Sequence, residues 1–80
     1  MDITVKKLEA LGFTAVKSAW SSLILLEHPK TEYYFGGESI LYRYNSGCKG
    51  VTYSFRNNKK FKTIKGLLKY YKKTFNVEIN

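Results

Sequence analysis

The run from Asn57 to Phe75 sets the strongest constraint on what this chain can fold into. Its apolar residues Phe61, Ile64, Leu67, Leu68, Tyr71 and Phe75 recur at three- and four-residue spacing, which gathers side chains into one stripe of a helix. A stripe that wide has to be buried, so the rest of the chain must supply a surface for it. The opposite face is lysine. Lys62, Lys65, Lys69, Lys72 and Lys73 project away from the stripe, Lys59 and Lys60 stand just ahead of it, and no acid occurs from Ser39 to Val77. A solvated helix face ordinarily mixes signs, because opposite charges at i and i+4 attract while like charges repel. Gly66 interrupts the pattern and implies close backbone approach, with packing as its first explanation.

Between Thr14 and Arg56 the period changes to two, with turn residues at short intervals, and this predicts an antiparallel sheet of four to five strands. Ala15 to Lys17 is a weak strand. Leu23 to Leu26 is apolar on both faces and reads as central. His28-Pro29-Lys30-Thr31 forms a turn, and Glu32 to Phe35 resumes as a strand until Gly36-Gly37. Ser39 to Tyr44 and Val51 to Arg56 alternate cleanly and make the most secure hairpin, with Ile40, Tyr42 and Tyr44 on one side of the first strand and Leu41 and Arg43 on the other. Ahead of the sheet, Val5, Leu8 and Leu11 form a short helical stripe after Asp2 or Thr4 as N-cap. Gly12 at C′ and Phe13 at C″ match a Schellman stop in which Phe13 packs on Leu8. Asn57-Asn58 breaks the sheet, so the last helix begins near Lys59 or, with Thr63 as N-cap, one turn later. Val77 and Ile79 fit a short final edge strand. Residues 1–80 thus read as a single α+β domain with both helices on one face of the sheet.

Charge and thiol content narrow the function classes. Residues 1–38 hold four basic and five acidic side chains, whereas residues 39–80 hold ten basic and one acidic, for a net charge of +8. Such one-sided charge favours a polyanionic or strongly acidic partner. The single cysteine, Cys48, excludes an internal disulfide, and with the single histidine, His28, it cannot assemble a zinc set. No apolar run reaches the roughly 20 residues of a membrane span, and the amino terminus lacks a signal-peptide pattern. The expected setting is cytoplasmic, with no metal, no cofactor and no membrane. Catalysis is not expected either: His28 and Cys48 each sit in a turn with nothing to orient them as base and nucleophile, and the glycine pairs lack phosphate-loop spacing.

The stretch Asn58-Lys59-Lys60-Phe61-Lys62 resembles the lysine cluster that opens the second helix of the double-stranded-RNA-binding domain and touches phosphates there. The likeness covers about five residues, and the extra hairpin departs from that family's strand count. Gly12-Phe13 to His28-Pro29 faintly resembles the HicA-type toxin nucleases. That family's catalytic histidine would fall near Ser21 or Ser22, so the likeness implies shared architecture without ribonuclease activity.

Two expectations follow from the residues. In the first, Arg56, Lys59, Lys60, Lys62, Lys65, Lys69, Lys72 and Lys73 neutralise the phosphates of RNA or DNA. Two arginines among fourteen basic residues favour backbone contact over base readout. In the second, the chain is a small phage or mobile-element protein that inhibits a host protein, as an anti-CRISPR-like factor would. It would dock its basic face on an acidic surface, with Trp20, Tyr33 and Tyr34 as anchors. Tyr33, Tyr34, Tyr42, Tyr44 and Tyr53 serve packing first and base stacking second. An edge strand at Val77 to Ile79 offers a route to a homodimer.

Overall fold

Thr63 decides where the basic helix begins. Its side chain accepts a hydrogen bond from the Gly66 backbone N–H at 3.1 Å, filling one of the donor vacancies of a helix N-terminus. The helix therefore runs Ile64–Phe75. The preceding lysines are not part of it. The computed structural model describes residues 3–18, 23–32, 36–45, 47–48 and 50–79, and in chain order it contains α1 (Val5–Ala10), β1 (Thr14–Lys17), β2 (Ile24–Glu27), the helical turn α2 (Pro29–Glu32), a 3-10 turn at Gly36–Ser39, β3 (Leu41–Asn45), β4 (Val51–Phe55), β5 (Lys60–Phe61) and α3 (Ile64–Phe75). The strands form one antiparallel five-stranded sheet in sequential order. The α+β expectation holds.

Both ends of α1 are specified locally. Thr4 caps it by accepting from the Lys7 N–H at 3.1 Å. At the other end the Phe13 N–H reaches the Leu8 carbonyl and the Gly12 N–H reaches the Glu9 carbonyl, each at 3.0 Å, with Gly12 at φ +102°. This is the Schellman stop. Gly12 has a second constraint, because a Cβ built there would stand 3.0 Å from His28 Nε2.

Register fixes which sheet face meets the helices. Leu26 pairs with Leu41 and Leu41 with Phe55, all three buried with Leu8, Phe13, Leu67, Tyr71 and Phe75. Phe55 is the centre of the aromatic packing, with ring centroids 4.8 Å from Tyr70, 5.5 Å from Tyr71, 5.7 Å from Phe61 and 6.3 Å from Phe75. A buried polar relay threads the same layer. The Tyr71 hydroxyl donates to the Ser39 carbonyl at 2.9 Å, Ser39 Oγ to the Thr31 carbonyl at 3.5 Å, and Thr31 Oγ1 to the His28 carbonyl at 3.1 Å. Lys30 N–H donates to His28 Nδ1, so Nε2 carries the ring proton and donates to the Leu11 carbonyl at 3.0 Å.

Several expectations are corrected. Pro29–Glu32 is a helical turn where a strand was expected to resume at Glu32, since proline fits the first helical position; Tyr33 to Phe35 lie outside the described residues. Asn57 and Asn58 do not cap a helix. They close a tight β4–β5 hairpin in which the Asn58 N–H donates to the Phe55 carbonyl at 2.9 Å and the Phe55 N–H to Lys59 at 2.8 Å, with Asn58 at φ +69°. Asparagine tolerates the left-handed position that a three-residue hairpin loop requires. Phe61 accordingly reaches the core from a strand. The expected edge strand at Val77 to Ile79 is absent. After left-handed Asn76 the chain turns back, buries Ile79 and half-buries Val77 on the core, which also removes the strand proposed to pair two copies.

Burial, with a smaller contribution from the neighbouring Tyr70 phenol, pushes the Tyr71 phenol well above its usual value. Its raised folded-state value means that Tyr71 favours folding fully below the unfolded tyrosine value of about 10 and progressively less above it. Tyr71→Phe should therefore cost about 1–2 kcal/mol at neutral pH by orphaning the Ser39 carbonyl. It should also lose stability less steeply than wild type above about pH 10, as measured by denaturant melts across that range.

Candidate functional site

The β4–β5 hairpin and α3 together build a basic groove floored by aromatic rings. Phe61 on β5 and Tyr70 on α3 lie with centroids 5.0 Å apart. Around them Lys59, Lys69 and Lys73 rim a shallow groove of about 350 Å³, with Gly66 and Thr74 completing its helix side. Lys59 is held by its turn, its backbone N–H donating to Asn57 Oδ1 at 3.0 Å, and its ammonium lies 6.0 Å from the centre of the Phe61 ring. Lys69 and Lys73 come from one α3 face because they are four residues apart.

A second depression, of about 290 Å³, continues past Tyr70 and Thr74 and is lined by Arg56, Asn57, Glu38 and Phe75. Asn57 Nδ2 donates to the Tyr70 hydroxyl at 3.3 Å across the join. Arg56 is packed over the 3-10 turn so closely that a Cβ on Gly37 would meet its Nη1 at 2.8 Å. Together the two depressions place Arg56, Lys59, Lys69 and Lys73 around Tyr70, with Glu38 as the acid at one end.

The other predicted lysines go elsewhere. Lys60 pairs with Ser54 and, with strand alternation, belongs to the sheet face away from the helices. Lys62 lines an open groove between α1 and β4 with Arg43. Lys65 borders an apolar patch with Ile64 and Leu68. Lys72 donates to Glu78 Oε1 at 2.8 Å; that hydrogen bond, then the Lys72 charge itself, holds the exposed Glu78 carboxyl below its usual value. The eight residues expected to meet phosphates are therefore divided among several surfaces. Trp20, Tyr33 and Tyr34, the expected partner anchors, lie outside the described residues.

Helix stability accounts for only some of the lysines. Lys72 and Lys73 lie in the last turn, where the helix dipole favours cations. Lys65 lies at the other end, where it does not, and α3 has no acid in its first turn. Lys65, Lys69 and Lys73 add like-charge i, i+4 pairs, each costing roughly 0.2–0.5 kcal/mol. An anion seated between them would relieve that repulsion.

Sequence reasoning missed Tyr70, which lies off the predicted stripe. A signal existed: Gly66, Tyr70 and Thr74 repeat at four-residue spacing, marking a small–large–small line beside the lysines. Gly66 itself is explained by the cap and not by a ligand, since a Cβ there would meet Thr63 Oγ1 at 3.1 Å.

His28 and Cys48 are separate. His28 is buried with both ring nitrogens hydrogen-bonded, and Cys48 is an exposed free thiol. Among the described residues no group of three or more His, Cys, Asp or Glu side chains could hold a metal ion, and no helix is long and apolar enough to cross a membrane. No protein-family model, curated protein or solved structure matches the chain.

His28→Ala should destabilise the fold by about 2–3 kcal/mol, because the Leu11 carbonyl and the Lys30 N–H lose their partner inside the protein. The rate at which a thiol reagent modifies Cys48 in the folded variant should match wild type. A slowed rate would mean that the histidine activates the thiol.

Proposed function

We propose that this protein is a small non-catalytic nucleic-acid-binding domain that holds the phosphate backbone through the groove between the β4–β5 hairpin and α3. The observation that carries the reading is the gathering of Arg56, Lys59, Lys69 and Lys73 around the Tyr70 ring, on a helix whose repulsive lysine spacing is otherwise unfavourable. Lysine ammonium groups act as point charges toward phosphate, so this groove reads backbone and contributes little sequence preference. Lys72, already paired with Glu78, and Lys60, on the opposite sheet face, stand outside it. The likeness of residues 58–62 to the double-stranded-RNA-binding domain gives no added support, because that stretch forms a turn and a strand here.

If the four groove cations each neutralise one phosphate, duplex affinity should fall with a log–log salt slope of about −3.6. Lys69→Glu/Lys73→Glu should weaken binding of a mixed-sequence duplex at about 50 mM salt by more than about tenfold. Its melting temperature should stay within a few degrees of wild type, since the reversal at 69 gains an attractive pair with Lys65 while the two new carboxylates still repel each other and the one at 73 opposes the helix dipole. Lys72→Glu should have a smaller effect. Gel retardation across a salt series checks this. Absence of any wild-type shift, or equal losses for the groove and control reversals, would contradict the assignment.

A further inference from the structure

The sheet face turned away from the helices carries a second set of groups, of which the groove uses only Arg56. The central row of this face runs Val16, Leu25, Tyr42, Ser54, Lys60, each paired with the next across β1 to β5. Tyr44 stands two residues beyond Tyr42 on β3, paired with Thr52, and about half of it is exposed, as is about half of Val16. Tyr53, by contrast, is buried on the helix side. Beside the two tyrosines lies a depression of about 270 Å³ that also takes in Leu23, Arg56 and Asn58. The face therefore presents two phenol rings from alternate positions of one central strand, about 7 Å apart along it. Hydroxyl groups of Thr52 and Ser54 lie beside them and cations at Lys60 and Arg56 beyond. Glu27 shares this face at the end of β2 that pairs with Thr14; extending the register through Ile40 puts it in line with Arg56, two strands away, and farther from Lys60.

That order of groups selects its occupant. Flat rings reward a flat partner, because offset stacking and edge-on contact depend on ring geometry as well as on area. The polar row and the cations on one flank call for a ligand with negative charge displaced to one side of its rings. A duplex keeps its base faces stacked inside and cannot supply them, whereas an unpaired strand offers bases on one side and phosphates on the other. An acidic protein surface would satisfy the cations but leave the two rings without flat partners. We infer that the open face is a single-strand site, with Tyr42 and Tyr44 stacking successive unpaired bases and Lys60 and Arg56 holding the adjoining phosphates. The inference rests on the nucleic-acid reading above and adds a substrate class to it. Arg56 lines both depressions, so one strand leaving the sheet face can continue onto the helix groove.

The test compares a labelled single strand of about 12 nucleotides with a duplex of the same length by fluorescence anisotropy at low salt. Tyr42→Ala/Tyr44→Ala should weaken the single strand by about 30-fold or more, the loss of two stacked bases, and change duplex affinity by less than about twofold. Tyr42→Phe/Tyr44→Phe keeps the rings and should bind the single strand within about threefold of wild type. Lys60→Glu, an exposed charge change that does not touch the core, should weaken the single strand more than the duplex. Single-strand affinity left unchanged by the alanine pair or by Lys60→Glu, with duplex binding intact, overturns the sheet-face site and leaves the groove standing. If wild type binds neither probe, both fall together.

Discussion

The hydrogen bond from the Tyr71 hydroxyl to the Ser39 carbonyl ties α3 to the chain that covers the sheet. Tyr71 is fully buried among Phe13, Phe55 and Phe75, where an unpaired hydroxyl would carry a large desolvation cost. The bond therefore adds a directional restraint on the rotation of α3 about its axis to the close packing of the surrounding rings. Ser39, Thr31 and His28 extend the restraint to the Leu11 carbonyl at the end of α1. Once Tyr71 faces inward, Tyr70 is turned to the hairpin side. Lys69 and Lys73 then take the rim, and Lys72 is sent toward Glu78.

The same geometry explains why a chain with so much lysine does not form one uniform positive surface. Strand alternation at Lys60–Phe61 sends Phe61 to the core and Lys60 to the other side of the sheet. The hairpin turn then carries Lys59 back beside Phe61. The hairpin's own charges fall on two faces joined by Arg56. A lysine-rich composition accounts for the number of cations, and only the hairpin accounts for their division between the helix groove and the open sheet.

Much of the architecture was legible in residue spacing. The Gly12-Phe13 stop, the Thr63 cap and the alternation of residues 51–56 each depend on one short stretch, and each appears in the structure. What could not be read depended on contacts distant in sequence. Phe61 satisfies a helical stripe and a strand equally well as a lone apolar residue, and the choice rests on whether Asn58 enters the left-handed region to close a hairpin. Val77 and Ile79 have strand spacing, but their apolar side chains are spent covering the core, where Lys30 Nζ also ties down the Glu78 carbonyl at 2.6 Å. The candidate site was half visible. Its lysines were evident from charge alone, whereas the role of Tyr70 depends on the Asn57 and Phe61 side chains of a neighbouring element.

In the proposed reading α3 and the β4–β5 hairpin act as one surface toward a polyanion. Its most direct test is a titration of isotope-labelled protein with a short duplex, followed by backbone amide shifts. The largest changes should cluster at Arg56 to Phe61 and at Gly66, Lys69, Tyr70 and Lys73, on both sides of the groove together. Changes confined to α1 and β1, or spread evenly over every lysine-bearing segment including Lys72, would contradict it.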